Sequence, residues 1–77
     1  MNTQQAQNLM TRYQLTQKRP FAHPAYVIAY AIGKKGIAFL EAVAWVKKMY
    51  KDNRFADYTG SWRDTMNVID MYTEVSE

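Results

Sequence analysis

The sequence predicts an all-α fold, a small bundle of about four helices. Apolar residues recur three and four positions apart in several segments, and glycine, proline or other turn formers separate those segments. No segment alternates apolar and polar residues as a half-buried strand would. The chain has 77 residues, 48% of them hydrophobic, which suits one small core. We therefore expect one helical domain over 1–77, with linker-like segments at 18–23 and 52–60.

The first predicted helix covers 3–17 and is mostly polar. Its apolar residues are spaced so that they share one face: Ala6, Leu9, Met10 and Tyr13. The helix should end before Pro20, because proline has no backbone N–H and disfavours helical geometry in the residue ahead of it.

The second predicted helix covers 24–32. Pro24 suits its first position, where a missing backbone N–H has no consequence. The segment contains no charged residue, which predicts burial on every side. We expect Gly33 to stop this helix, since glycine adopts the left-handed conformation freely.

The third predicted helix, 35–51, is expected to be the centre of the domain. On a helical wheel Phe39, Val43, Val46 and Tyr50 form the seam that should face the core, flanked by Leu40, Ala42 and Met49. Trp45 lies at the edge of the opposite, charged side, so we expect its side chain to be exposed.

The fourth predicted helix, 61–75, begins with a recognisable cap. Ser61 can cap the helix while Asp64, three residues later, reaches back in the manner of a capping box. Apolar residues then repeat at helical spacing: Trp62, Met66, Ile69 and Tyr72, with Val68, Met71 and Val75 beside them.

Charge is distributed unevenly along the chain. Residues 1–51 hold eight basic residues and one acidic residue, a net charge of +7, whereas residues 52–77 hold two basic and six acidic residues, a net charge of −4. Such a division suits an anionic partner, contact between two copies of the chain, or an acidic helix packed on a basic body.

The residue types needed for most catalysis are scarce. The chain has no cysteine and only one histidine, His23, which lies between two prolines with no orienting carboxylate and nucleophile at suitable spacing. Asp70 and Glu74 are one helical turn apart, but we expect water rather than a pocket around them. Scattered Asp residues also lack the clustering of metal sites. We therefore expect no enzymatic activity, no metal and no cofactor.

The segment IGKKGI, residues 32–37, supports two interpretations. Ile32-Gly33-Lys34-Lys35 resembles the second half of the hairpin in helix-hairpin-helix DNA-binding motifs, although the resemblance covers about six residues, Ala31 stands in place of the first glycine, and we assign no membership. If Lys35 opened the third helix, free N–H groups beside two ammonium groups would make a phosphate cradle. The candidate phosphate-binding residues are Gly33, Lys34, Lys35 and Gly36. Alternatively, the segment is only a polar turn between two buried helices.

Two functional classes remain after these considerations. The first is a small protein-binding module, a regulator or inhibitor of a larger protein of the bacterial or phage accessory type. Its candidate partner-binding residues are Trp45 as an aromatic anchor, with Lys47, Lys48 and Lys51. Aromatic residues make up 14% of the chain, more than a core this small can fully bury, and this surplus also favours a homodimer or higher oligomer. The alternative is weakly specific nucleic-acid binding through the same lysines together with Lys34 and Lys35.

The sequence also predicts a location. The first residues lack the apolar core of a secretory signal. The apolar stretch 25–46 is broken by charged residues and glycines into pieces shorter than the roughly 20 residues that span a bilayer. We therefore expect a cytoplasmic protein that does not enter the membrane.

Overall fold

The computed structural model describes residues 1–74, and within them the chain forms four α-helices and no strand. The helices are α1 (Thr3–Thr16), α2 (Pro24–Lys35), α3 (Phe39–Lys51) and α4 (Trp62–Glu74), and a short 3-10 helix (Pro20–Ala22) lies between α1 and α2. The predicted all-α class is confirmed. Val75, which the sequence assigned to the last helix, lies outside the described residues.

Helix α2 is the centre of the fold, and it packs against each of the other three helices. The expectation that the third helix would be central is therefore wrong. The physical reason is composition: α2 buries residues on all its sides, whereas α3 has charged residues that must stay in water. The buried residues of α2 are Pro24, Ala25, Tyr26, Val27, Ile28, Ala29, Ala31 and Ile32.

The boundary between α2 and α3 differs from the prediction. Helix α2 continues through Gly33 to Lys35, and Gly36 ends it in the left-handed conformation, with φ of 67°. The backbone N–H groups of Gly36 and Ile37 both donate to the carbonyl of Ala31, a pairing of the kind that closes a helix at a left-handed residue.

Gly33 has a packing role instead of a stopping role. A Cβ atom at this position would lie 2.6 Å from Cε of Met10 and 3.4 Å from Cβ of Ala6. Gly33 therefore lets α1 approach the backbone of α2 closely. This role depends on a contact between two helices, so the sequence around Gly33 alone does not reveal it.

Helix α3 begins at Phe39 rather than at residue 35. Ala38 precedes it in an extended conformation and supplies no side-chain cap. The predicted end at Lys51 is confirmed. The two lysines of IGKKGI are consequently the last residues of α2, separated from α3 by a short turn.

Side-chain caps define the starts of α1 and α4. At α1 the Asn2 side chain accepts from the Gln5 N–H and the Gln5 side chain accepts from the Asn2 N–H. Gln5 also donates to the carbonyl of Thr73, which joins the start of α1 to the end of α4. At α4 the predicted box is confirmed, since Ser61 N–H donates to Asp64 and Asp64 N–H donates to Ser61.

The two linker-like segments are packed by aromatic rings. His23 is half-buried, and its ring meets Tyr13 and Tyr58 edge to face at centroid distances of 5.5 and 5.9 Å. The segment after α3 buries Phe55 in the core. Among the helices of residues 1–74, none combines the length and the apolar character that a membrane crossing requires.

Candidate functional site

Helix α3 has one face in the core and another in solvent. Ala42 and Val46 are fully buried, while the residues on the opposite side of the helix are exposed. This second face is not covered by any other part of residues 1–74. The exposed residues of α3 are Leu40, Glu41, Ala44, Trp45, Lys47, Lys48 and Lys51.

Trp45 is the largest side chain on the exposed face, with 48% of its surface accessible to solvent. Its exposure agrees with the prediction from the helical wheel. The ring of Trp45 borders two cavities, one of about 380 Å³ towards the α2–α3 turn and one of about 270 Å³ towards the end of α3. We call these two cavities and the ring between them the Trp45 groove.

The walls of the Trp45 groove combine apolar and charged side chains. The first cavity is lined by Lys35, Ile37 and Glu41, in addition to Trp45. The second is lined by Lys48, Met49, Asp52 and Arg54. Apolar surface therefore forms part of each cavity, and at least one basic side chain borders each of them.

The lysines of α3 point into solvent without ion-pair partners. Lys47, Lys48 and Lys51 are all exposed. Within residues 1–74 the only salt bridge joins Arg19 to Asp57, at 3.2 Å, outside α3. The positive ends of Lys48 and Lys51 suit the C-terminal turn of the helix, where backbone carbonyls carry partial negative charge. Their charge is still free to attract an anionic partner.

In the structure, IGKKGI lacks the free backbone N–H groups on which the predicted phosphate-binding site depends. Lys34 and Lys35 lie in the last turn of α2, where the free backbone groups are carbonyls and not N–H donors. The predicted start of a helix at this point is wrong, because Gly36 rather than Gly33 is the left-handed stop. The hairpin resemblance loses its structural basis for the same reason. Lys34 lies beside the polar side chains of Gln7, Thr11 and Gln14 of α1.

The structure also divides the lysines that the nucleic-acid interpretation placed on one helix. Lys34 and Lys35 belong to α2, and Lys47, Lys48 and Lys51 belong to α3. Only Lys35 comes near the exposed face of α3, where it lines the first cavity together with Trp45.

Several residues of the site were not identified from the sequence. Leu40 was placed at the flank of the core seam, but 78% of its surface is exposed. Ile37 was placed inside a helix, and Met49 was placed at the flank of the core seam with no part in binding. Arg54 was passed over because it lies in a segment of turn formers, where spacing carries no information about direction.

A third cavity, of about 380 Å³, separates α1 from α4. It is lined by Arg12, Tyr13, Thr16, Gln17, Val68, Met71 and Tyr72. Burial raises the pKa of the Tyr13 hydroxyl above its ordinary value, and the nearby Tyr72 and Tyr58 hydroxyls add to the effect. Within residues 1–74 no three His, Asp or Glu side chains come together as a metal site requires.

Comparisons with protein-family models, with curated proteins and with solved structures find no match to this chain. Its function is therefore inferred from the site alone.

Proposed function

We propose that this chain is a small non-enzymatic module that binds a larger protein through the Trp45 groove. The observation that carries the proposal is a half-exposed tryptophan with a cavity on each side of it. Tryptophan is among the residues that contribute most to protein interfaces, because its ring buries a large area with few rotatable bonds. The cavities give the partner's side chains a place beside that ring.

The surrounding charges support a protein partner over a polyanion at the groove itself. Glu41 lines one cavity and Asp52 the other, among three basic side chains, and this mixture of both signs matches the varied side chains of a protein better than the uniform charge of a phosphate backbone. An apolar side chain from a protein is instead compatible with Ile37 and Met49 in the walls. The lysines nearby would increase the association rate with an acidic protein.

The proposed role is that of a regulator or inhibitor of a larger protein of bacterial or phage accessory type, located in the cytoplasm. A chain of this size stabilises itself by only about 3–5 kcal/mol from its own core, so binding to another protein would also stabilise its fold. The same groove could be covered by a second copy of the chain, which is the homo-oligomeric form of the proposal.

The test is retention of proteins from a nuclease-treated lysate of the source cells on immobilised protein. We expect at least one protein to be retained by the native chain and lost with Trp45→Ala. The matched control is Leu15→Ala, because Leu15 is an exposed apolar residue of α1, with 81% of its surface accessible, and lines no part of the groove. Retention that Trp45→Ala and Leu15→Ala affect equally would contradict the proposal.

Weakly specific nucleic-acid binding is the second candidate, and the unpaired lysines of α3 favour it. Lys47, Lys48 and Lys51 could follow a phosphate backbone along the exposed face, beside the groove. The test is fluorescence anisotropy of labelled random-sequence DNA at about 50 mM and 200 mM salt. This candidate predicts binding that weakens steeply with salt and is lost when the three α3 lysines become Ala. Replacing Arg12, Lys18 and Arg63 by Ala removes three positive charges outside α3 and is the control for a general loss of positive charge.

A further inference from the structure

We infer that the segment held in the Trp45 groove is an amphipathic helix of net negative charge, with two large apolar residues seven positions apart and a small residue between them. This inference rests on the proposed function and specifies the partner of the same site. It follows from the backbone of α3, the spacing of the two cavities and the charges around them.

A helical partner suits the groove because α3 offers no backbone for pairing. The N–H and C=O groups within α3 are used by its own helix, and residues 1–74 contain no strand to which another strand could be added. An extended peptide in this groove would leave its own backbone groups without protein partners. A helix satisfies its backbone groups internally and presents only side chains, as in other helix-in-groove interfaces.

The spacing of the cavities determines the spacing of the anchors. Glu41 lines the first cavity and Met49 the second, and these residues are about 12 Å apart along the axis of α3. Two residues seven positions apart in a partner helix are separated by about 10 Å and point to the same side. The Trp45 ring lies between the cavities, so the partner residue that faces it must be small.

The charges around the groove favour acidic residues along the edges of the partner helix. Lys35 stands at one end of the groove, and Lys48 and Arg54 stand at the other. Lys51 lies one helical turn beyond Lys48 on α3. The cavities themselves are lined by three basic side chains and two carboxylates, Glu41 and Asp52. The excess of positive charge selects a negatively charged partner and disfavours a basic one.

The experiment is selection from a displayed library of random peptides of about 16 residues, long enough for four helical turns. The native chain is the bait, and Trp45→Ala is used to remove peptides that bind elsewhere. We expect the enriched peptides to be acidic, to carry large apolar residues seven positions apart, and to become helical when bound. Their affinity should fall by about tenfold or more for the double variant Lys48→Glu and Arg54→Glu.

Reversing the charges of the peptides shows whether the double variant binds less because an electrostatic contact is lost or because the protein is unfolded. Peptides in which Glu is replaced by Lys should bind the double variant better than the original peptides do, while Leu15→Ala should bind the originals as the native chain does. Enrichment of basic or neutral peptides, of peptides with no regular apolar spacing, or of no peptides at all would overturn the inference. If such a result accompanied Trp45-dependent retention of a cellular protein, the proposed function would stand and only the acidic helix would be wrong.

Discussion

Helices α2 and α3 have similar lengths, with 12 and 13 residues, but their surroundings are opposite. Helix α2 is surrounded by the other three helices and buries most of its residues. Helix α3 buries Ala42 and Val46 and leaves Leu40 and Trp45 exposed. Both helices contain many apolar residues. The apolar content of a helix therefore does not show whether its side chains pack in the core or remain exposed to a partner.

The difference shows which apolar surface of a small domain is available to a binding partner. Every apolar side chain of α2 that is withdrawn from water contributes to folding, at about 25 cal/mol per Å². Apolar surface on the outer face of α3 contributes little to folding and remains available to a partner. We therefore expect changes in α2 to lower stability and changes on the outer face of α3 to alter binding with the fold unchanged.

The largest expected effect is the loss of a core side chain in α2. Ile28 is fully buried, so Ile28→Ala should lower the free energy of unfolding by about 2–5 kcal/mol, enough to unfold a domain of this size. Leu40→Ala should change it by less than about 0.5 kcal/mol, because that side chain is mostly in water. Urea denaturation followed by circular dichroism measures both. Similar losses in the free energy of unfolding for the two variants would contradict the view that α2 supports the fold while the outer face of α3 does not.

The next effect concerns the end of α2. Gly36→Ala should cost about 1–2 kcal/mol, because a Cβ atom strains the left-handed conformation although nothing lies within contact distance of it. Gly33→Ala should stay within about 1 kcal/mol of the native value, because alanine favours the helix and the nearest obstacle is the movable methyl group of Met10. The same denaturation experiment compares them. A larger loss for Gly33→Ala than for Gly36→Ala would mean that Met10 and Ala6 cannot move to make room, so that the packing role of Gly33 outweighs the left-handed conformation of Gly36.

A smaller effect is expected when the lysines of α3 are neutralised. Replacing Lys47, Lys48 and Lys51 by Gln should lower the free energy of unfolding by only about 0.3–1 kcal/mol, through weaker interaction with the helix dipole. The same variant is then tested for binding to an acidic peptide obtained from the displayed library. Its affinity for that peptide should fall, and the binding should lose most of its salt dependence. A large fall in stability would mean that these lysines support the fold.

The smallest effect involves Tyr13, whose ring stacks on Tyr26 of α2 at a centroid distance of 6.4 Å. Burial raises the Tyr13 pKa above the ordinary 10.0, so the folded chain holds this proton more firmly than the unfolded chain. The resulting stability is fully present below about pH 10 and is lost as the pH rises through the folded pKa. Tyr13→Phe should therefore show a shallower fall in stability between about pH 9 and 12.

Local patterns were sufficient for much of this fold. Helical spacing predicted four helices, the capping box of Ser61 and Asp64 was visible as a short motif, and the wheel placed Trp45 on the exposed side. Each of these features depends on residues close together in the chain. They are therefore accessible without knowledge of tertiary contacts.

The features that could not be predicted depend on distant contacts. Either glycine of IGKKGI satisfies the local rule for a helix end, and only the approach of Ala6 and Met10 shows that Gly33 belongs inside α2. The exposure of Leu40, at the flank of the predicted seam, was not foreseen because the wheel does not reveal how much of α3 the other helices cover. Arg54 enters the site through the path of the segment after α3, which periodicity does not describe.

The most direct test of the outer face of α3 as a binding surface is site-specific photocrosslinking in the cells that produce the protein. The photoreactive amino acid p-benzoylphenylalanine is placed at position 41, where the groove keeps its Trp45 ring, and in a matched variant at position 15, on α1. We predict a discrete crosslinked protein partner from position 41 and none from position 15. Equal crosslinking from both positions, crosslinking from position 15 alone, or no crosslinked protein from either position would contradict the assignment of binding to α3.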